Sequence, residues 1–327
     1  MPHLLSRRAA LGRLGATALA LATPPLAAQG PWPQKPIRIV VPFAAGVSPD
    51  VVTRIISEPL GRALGQPVVI DNRAGAAGII GAEVAAKSPA DGYTLFMTVN
   101  SIMGINPNVY VKLPYDTFRD FAPVTQVALV PYVLITGPNQ PDKSLKDLLA
   151  RAKAKPESVD YGSLGVGSGP HVVMEMMCNM AGIRMMHVPY KGSPLADVMA
   201  GQMPLAFEPA TTAVPLIRSG KLRALAVTSK QRSPSLPDVP AVAELLPGYD
   251  GDGWQGFYVP IGTPPDIIAR YNTEIVKVLR VPEVQRKLVE LGLQPVGNSV
   301  DEFAKISRQE FDKWGKIAKA NNIRIDS

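Results

Sequence analysis

Ile37-Arg38-Ile39-Val40-Val41-Pro42-Phe43-Ala44-Ala45-Gly46-Val47-Ser48-Pro49-Asp50 reads as a buried strand, a glycine-bearing turn and the start of a helix. Pro49 fits a first helical turn, since the N–H it lacks is one that a helix start leaves unpaired in any case. A strand feeding a helix is the α/β unit, and the unit recurs. Val68 to Asp71 and Thr94 to Val99 predict two more strands, separated by a helical stretch from Ala76 to Lys87. This alternation predicts a largely parallel sheet. Pro59, inside the first helix, predicts a kink there.

Val124 to Ile135 is a long β-branched run ending at Thr136-Gly137-Pro138, which suits a crossing between two lobes. A new series then begins: a helix over 144–155, a strand near 159–163, a helix over 168–181, and strands at 185–190, 205–208 and 222–228. Beyond Tyr249 the chain reads as a return, with a strand at 254–259 and a helix opened by Thr263-Pro264-Pro265-Asp266. Ser299 and Glu302 form a capping-box pattern for a last helix striped with Phe303, Ile306, Trp314 and Ile317. These late helices need a sheet to cover. The first sheet is the natural host, which predicts a discontinuous first lobe (29–130 plus 253–327) with an inserted second lobe (131–252).

The 327 residues favour two domains, and 46% hydrophobic with 19% charged residues is the balance of a globular chain. Ser6-Arg7-Arg8, an apolar Gly15 to Ala22 and Leu26-Ala27-Ala28 make residues 1–28 a signal peptide, of twin-arginine or ordinary secretory type. The protein is therefore expected in the periplasm, with no cysteine at the signal end to take a lipid anchor. Removing that segment takes away three arginines and no acid, lowering the formal charge from +7 to +4. Scattered lysines and a modest charge argue against nucleic acid as a partner. Cys178, among Met174, Met176, Met177 and Met180, reads as a small buried apolar residue.

Several blocks together resemble one family, the substrate-binding proteins of tripartite tricarboxylate transporters, also called Bordetella uptake gene proteins. They are Val41 to Gly46 with Asp50, Val69-Ile70-Asp71-Asn72-Arg73-Ala74-Gly75-Ala76, Ser88 to Leu95, Ser163 to His171, His187 to Gly192, Gly201-Gln202, and Arg232-Ser233 with Leu236 to Pro240. The resemblance implies a two-lobed α/β periplasmic-binding-protein fold of Venus-flytrap, type II-like form, with the ligand between the lobes. It also implies a monomer that delivers a small organic carboxylate to a membrane permease. Di- and tricarboxylates, acidic amino acids and aromatic acids all fall in that class. At Val47 the chain departs from relatives, which carry a second glycine there.

Two turns run from strand to helix, Phe43 to Asp50 and Ser163 to His171. Helix starts leave amide donors unpaired at a positive dipole end, so a carboxylate can be held there without lysine or arginine. Ala45, Gly46, Val47 and Ser48 are expected to offer amides from one lobe, and Gly165, Val166, Gly167 and Ser168 from the other. Phe43, Ser163 and His171 flank these turns. Asn100 and Ser101 follow a strand end, a common place for ligand contacts in open sheets, and Tyr190 and Glu208 hold similar positions in the second lobe.

Other readings are weaker. Gly46-Val47-Ser48-Pro49-Asp50 is an incomplete nucleophile elbow, since Pro49 lacks the N–H an oxyanion hole needs there, so a serine hydrolase is not expected. His171 and Glu175, four apart, lack a third metal ligand, and Gly165-x-Gly167-x-Gly169 lacks the dinucleotide spacing. No cofactor and no metal are expected. A binding protein that signals to a receptor or histidine kinase would use the same cleft and is the main alternative.

Overall fold

The computed structural model describes residues 32–190, 192–320 and 323–324, so the segment read as a signal peptide lies outside the described residues. Lys35 onward makes one compact unit. In chain order its elements are β1 (Ile37–Val41), α1 (Ser48–Leu64), β2 (Val68–Asn72), α2 (Ile79–Ala86), β3 (Thr94–Val99), α3 (Asn106–Val109), β4 (Phe121–Val130) and β5 (Tyr132–Thr136). Then come α4 (Leu145–Ala154), β6 (Asp160–Ser163), α5 (Gly169–Ala181), β7 (Met186–Pro189), α6 (Leu195–Ala200), β8 (Leu205–Pro209), α7 (Ala210–Arg218) and β9 (Arg223–Val227). The chain closes with β10 (Gly253–Pro260), α8 (Pro265–Leu279), α9 (Pro282–Glu290), β11 (Gln294–Pro295) and α10 (Val300–Ala320).

Two sheets organise these elements. One has the order β11-β4-β10-β3-β1-β2, the other β7-β6-β8-β5-β9. Each sheet with its helices forms a lobe. The largely parallel arrangement expected from strand-helix alternation is not found, because both sheets are mixed. β1 pairs in parallel with β2 and β3, and β6 with β7 and β8, whereas β10 runs antiparallel to β3 and β4, and β5 to β8 and β9. The reason is connectivity. β5 and β10, the strands reached by a crossing from the other sheet, enter their own sheet from the opposite end to its strand-helix units.

The crossing is abrupt. Val130 pairs with Gly253 in the first sheet and Tyr132 with Pro209 in the second, so the long run read over 124–135 is broken at Pro131. Proline has no N–H for a ladder and suits such a break. Thr228 ties this crossing to the returning one: its hydroxyl accepts from the Tyr132 N–H at 2.8 Å and donates to Asp252 Oδ1 at 2.8 Å.

Pro59 lies inside α1, which nevertheless runs on to Leu64. The capping box forms as read: Ser299 N–H donates to Glu302 Oε2 at 2.9 Å, and Glu302 N–H to Ser299 Oγ at 3.3 Å. Phe303 and Trp314 on α10 are fully buried. Cys178 is a buried free thiol, its pKa pushed up to about 12 by burial and by nearby Glu175. α10 does more than cover its own sheet. Trp314 and Ala318 share one apolar cluster with Ile105 and Val109 beside the first sheet and with Leu134, Val173 and Met177 of the second lobe.

Candidate functional site

Where β1 ends, Ala44 to Val47 stand exposed and the chain turns back into α1. Gly46 carries φ +86°, a left-handed value that a side chain would strain. Val47 is extended at φ −84° and ψ 165°, so in this turn only Gly46 takes a left-handed φ. Asp50 holds the turn in shape. Its Oδ2 accepts from the Gly46 N–H at 2.8 Å and from Arg54 Nε at 2.8 Å, and its Oδ1 from Asn72 Nδ2 at 3.0 Å. Asn72 also donates to the Phe43 carbonyl at 3.0 Å, which explains why the Asp-Asn-Arg block belongs beside this turn. Burial alone would raise the Asp50 pKa, but the bonds from Arg54, Gly46 and Asn72 outweigh it and hold the carboxyl below its usual range. Stability from this group is therefore present above the unfolded value of about 3.9 and is lost as pH falls below it. Asp50→Ala is expected to cost about 1–3 kcal/mol, read by urea unfolding at pH 7, because Gly46 and Asn72 lose their acceptor.

The Gly46 amide is thus spent inside the protein. Those of Ala45, Val47 and Ser48 meet no acceptor among the described residues. Ser48 is not the N-cap; that position falls on Val47, and the Ser48 hydroxyl instead accepts from Gln255 Nε2 on β10 at 2.7 Å.

The second turn is braced from behind by two histidines. Gly167 N–H donates to His171 Nδ1 at 3.1 Å, which fixes the His171 proton on Nε2, and the His171 and His187 rings stack with centroids 4.0 Å apart. His187 Nε2 lies 2.6 Å from Ser163 Oγ. Burial, then the neighbouring His187, pushes His171 down to about 3, and burial pushes His187 down to about 4, so both rings are neutral at pH 7. The Ser163 hydroxyl also accepts from the Gly165 N–H at 3.1 Å and sits within a fully buried residue, and Ser48, in the other lobe, is bonded to a glutamine. Ser168 donates its hydroxyl to the Gly165 carbonyl at 2.7 Å. Of this turn's amides, Gly165 and Gly167 are spent on Ser163 and His171, and Ser168 N–H on the Gly165 carbonyl; Val166, and Gly169 just beyond, meet no acceptor among the described residues.

The remaining expected residues divide. Asn100 is buried with neither side-chain atom bonded, while Ser101 beside it is half-buried. Tyr190 donates its hydroxyl to Asp197 at 2.7 Å. Glu208 accepts from Ser193 at 2.7 Å and Thr212 at 3.2 Å; burial raises its pKa, and those two bonds offset this in part. Tyr190 and Glu208 are therefore engaged by their own lobe. Sequence reading missed Gln255 and Tyr132, both on strands read as framework. The Tyr132 hydroxyl lies so near Gly169 that a side chain there would start 2.2 Å from it, and 3.0 Å from it at Gly253. Gly253 and Gln255 are alternate residues of β10, about 7 Å apart along the strand. β10 thus bonds the start of α1 through Gln255 and Ser48, while Tyr132 on β5 packs its hydroxyl between Gly253 of β10 and Gly169 at the start of α5.

A cavity of about 800 Å³ opens elsewhere, behind β4 and β10 between Trp254, Asp252, Arg232, Val296 and Lys313, and includes none of the residues expected to bind ligand. Asp252 faces it. Burial raises its pKa to about 7, against the Thr228 bond.

Residues 52–323 match the family described as tripartite tricarboxylate transporter family receptor. Protein BugT of Bordetella pertussis is 35% identical over 298 residues, 90% of this chain and 91% of that one. A Rhodopseudomonas palustris protein solved with adipate is 36% identical, with a TM-score of 0.85 over 90% of this chain and 99% of that one. MatC from the same organism, with bound malate, is 28% identical with a TM-score of 0.80 over 88% and 99%. With its two mixed sheets, the chain has the two-lobed fold of periplasmic binding proteins and belongs to the tripartite tricarboxylate transporter receptor family.

Proposed function

We propose that this protein is a periplasmic binding protein that captures a small organic carboxylate between its lobes and presents it to a tripartite tricarboxylate-type membrane permease. In this reading the lobes are 29–130 with 253–327, and 131–252. The protein binds its ligand without converting it, and residues 1–28 direct export. One observation carries the proposal: two strand-to-helix turns leave unspent amides at helix starts, and β10 lies beside both, bonded to Ser48 through Gln255 and packed at Gly253 against the Tyr132 hydroxyl that also meets Gly169. Amides of Ala45, Val47 and Ser48 face the ligand from the first lobe. Those of Val166 and Gly169 face it from the second, with Asn100 between them. Gly46, Gly165, Gly167, Ser163, Ser168 and His171 shape the turns, and Phe43 and Ser101 border the pocket. Relatives solved with adipate and with malate support the carboxylate class.

Substituting the positive-φ glycines tests this. Gly46 has open space for a side chain but the wrong φ for one, at +86°, and Gly167 stands at +79°. Gly46→Val and Gly167→Val are each expected to weaken carboxylate binding by about tenfold or more in calorimetry, because restoring an allowed backbone re-aims the neighbouring amides. Unchanged affinity in both variants would reject carboxylate binding at these two turns.

A further inference from the structure

Beside β10 gather neutral polar groups that the carboxylate reading leaves unexplained: Gln255 on the strand itself, Asn100 just after β3 and Tyr132 on β5. Gly253 and Gln255 lie on one face of the strand. A side chain at Gly253 would begin 3.0 Å from the Tyr132 hydroxyl and 3.2 Å from Asn100 Oδ1, so the missing side chain lets a phenol and a carboxamide converge over the strand. The next residue on that face, Gln255, donates from Nε2 to Ser48. Its Oε1 has no partner among the described residues, nor have Asn100 Oδ1 and Nδ2. Asn100 is 1% exposed and Gln255 2% exposed. A buried polar atom without a partner costs its full desolvation penalty, and three of the eight such side-chain atoms among the described residues belong to Asn100 and Gln255, beside one strand where another molecule can supply the bonds.

The donor and acceptor balance limits what that molecule brings. A carboxylate accepts only. It would satisfy Asn100 Nδ2 and the Tyr132 hydroxyl, yet leave Asn100 Oδ1 facing a negative charge. An ammonium donates only and leaves Asn100 Nδ2 unmet. A hydroxyl donates and accepts, so it can serve both ends of the Asn100 carboxamide or bridge it to Gln255. The amides at the two turns meanwhile suit the carboxylate itself.

We propose that Asn100, Gln255 and Tyr132 form a specificity row that reads a hydroxyl on the bound acid, so that the protein selects hydroxycarboxylates over their deoxy counterparts. This rests on the carboxylate-binding reading and narrows it. Tyr132 has a second role in the row. Its hydroxyl, carried by the second lobe, lies against Gly253 of the first, so a ligand hydroxyl held between Tyr132 and Asn100 touches both lobes and favours their closure around it.

Calorimetry with the purified protein tests the row through acid pairs that differ by one hydroxyl: malate and succinate, lactate and propionate, citrate and tricarballylate, 4-hydroxybenzoate and benzoate. In each pair that binds at all, the hydroxy acid is expected to bind tighter by on the order of tenfold or more. In Tyr132→Phe, which keeps the ring, and in Asn100→Leu, that ratio is expected to shrink to about threefold or less. Equal affinity within the pairs would overturn the row and leave carboxylate binding standing. Tighter binding of aspartate than of malate would overturn it as well, assigning the row to an ammonium. Failure of every acid to bind would remove the carboxylate reading and this inference together.

Discussion

Asp252→Asn should make this protein markedly more sensitive to acid. Two buried titrations oppose each other in it. His171 and His187 are held neutral, pushed by burial to about 3 and about 4, so the unfolded chain takes up protons first as pH falls through the ordinary histidine value near 6.5. Their contribution is therefore complete above about pH 6.5 and drains away as pH falls toward the folded values. At pH 4 the loss from His171 alone is roughly 3 kcal/mol, at about 1.4 kcal/mol per unit of displaced pKa. Asp252 works the other way. Its folded value is raised to about 7, so the folded protein holds a proton that the unfolded chain has released. That contribution is complete below about pH 4 and is lost as pH rises through 7. Glu208, also raised by burial, acts in the same direction as Asp252, while Asp50 adds to the acid loss only below its ordinary range. Wild-type stability should thus fall gently from pH 7 to pH 4. In urea unfolding at pH 7, 6, 5 and 4, Asp252→Asn should steepen that fall, and His171→Gln should remove roughly 3 kcal/mol of it by pH 4. A glutamine oxygen can still accept from Gly167, which limits the structural damage. Identical slopes in all three proteins would show that these groups do not titrate as their burial implies.

Trp314→Ala should be among the most damaging single changes, at about 3–5 kcal/mol. The indole is fully buried, donates from Nε1 to Glu310 at 2.8 Å, and packs close to Gly104, where even a methyl would begin 3.3 Å from its ring. Its cluster joins Ile105 and Val109 to Val173 and Met177, so α10 fastens one lobe to the other as well as covering its own sheet. Trp314→Ala should lower the urea midpoint, and Trp314→Phe should recover part of the loss, because it refills most of the volume without restoring the bond to Glu310. A loss under about 1 kcal/mol for the alanine variant would mean the cluster does not couple the lobes through this side chain.

The first lobe's elements were readable because Ile37, Val40 and Val41, then Ser48-Pro49-Asp50, combine apolar continuity with start signals that local physics enforces. The capping box at Ser299 and Glu302 was readable for the same reason. The sense of the sheets was not. Whether β10 lies parallel or antiparallel to β3 depends on where a crossing enters, and no local periodicity encodes that. The turns were legible as glycine-bearing helix starts, yet which amides stay unspent was hidden. Gly46 and Gly167 give theirs to Asp50 and His171, four residues on, through side-chain rotamers that spacing does not fix. Gln255 and Tyr132 escaped notice because a polar residue inside an apolar strand is read as framework until its neighbours across the fold are known. The pattern Gly253-x-Gln255 carried a faint signal, since a bare position beside a buried carboxamide leaves room for something to approach.

The claim beneath all of this is that the carboxylate sits where α1 and α5 begin, and not in the cavity behind β4 and β10. Amide shift mapping by nitrogen-15 NMR, during titration with malate and with adipate, tests it most directly. The account predicts that the largest shifts fall on Ala45, Val47, Ser48, Val166 and Gly169, with the Asn100 and Gln255 side-chain amides moving alongside. Shifts gathered instead around Arg232, Asp252 and Lys313, with both turns silent, would contradict it.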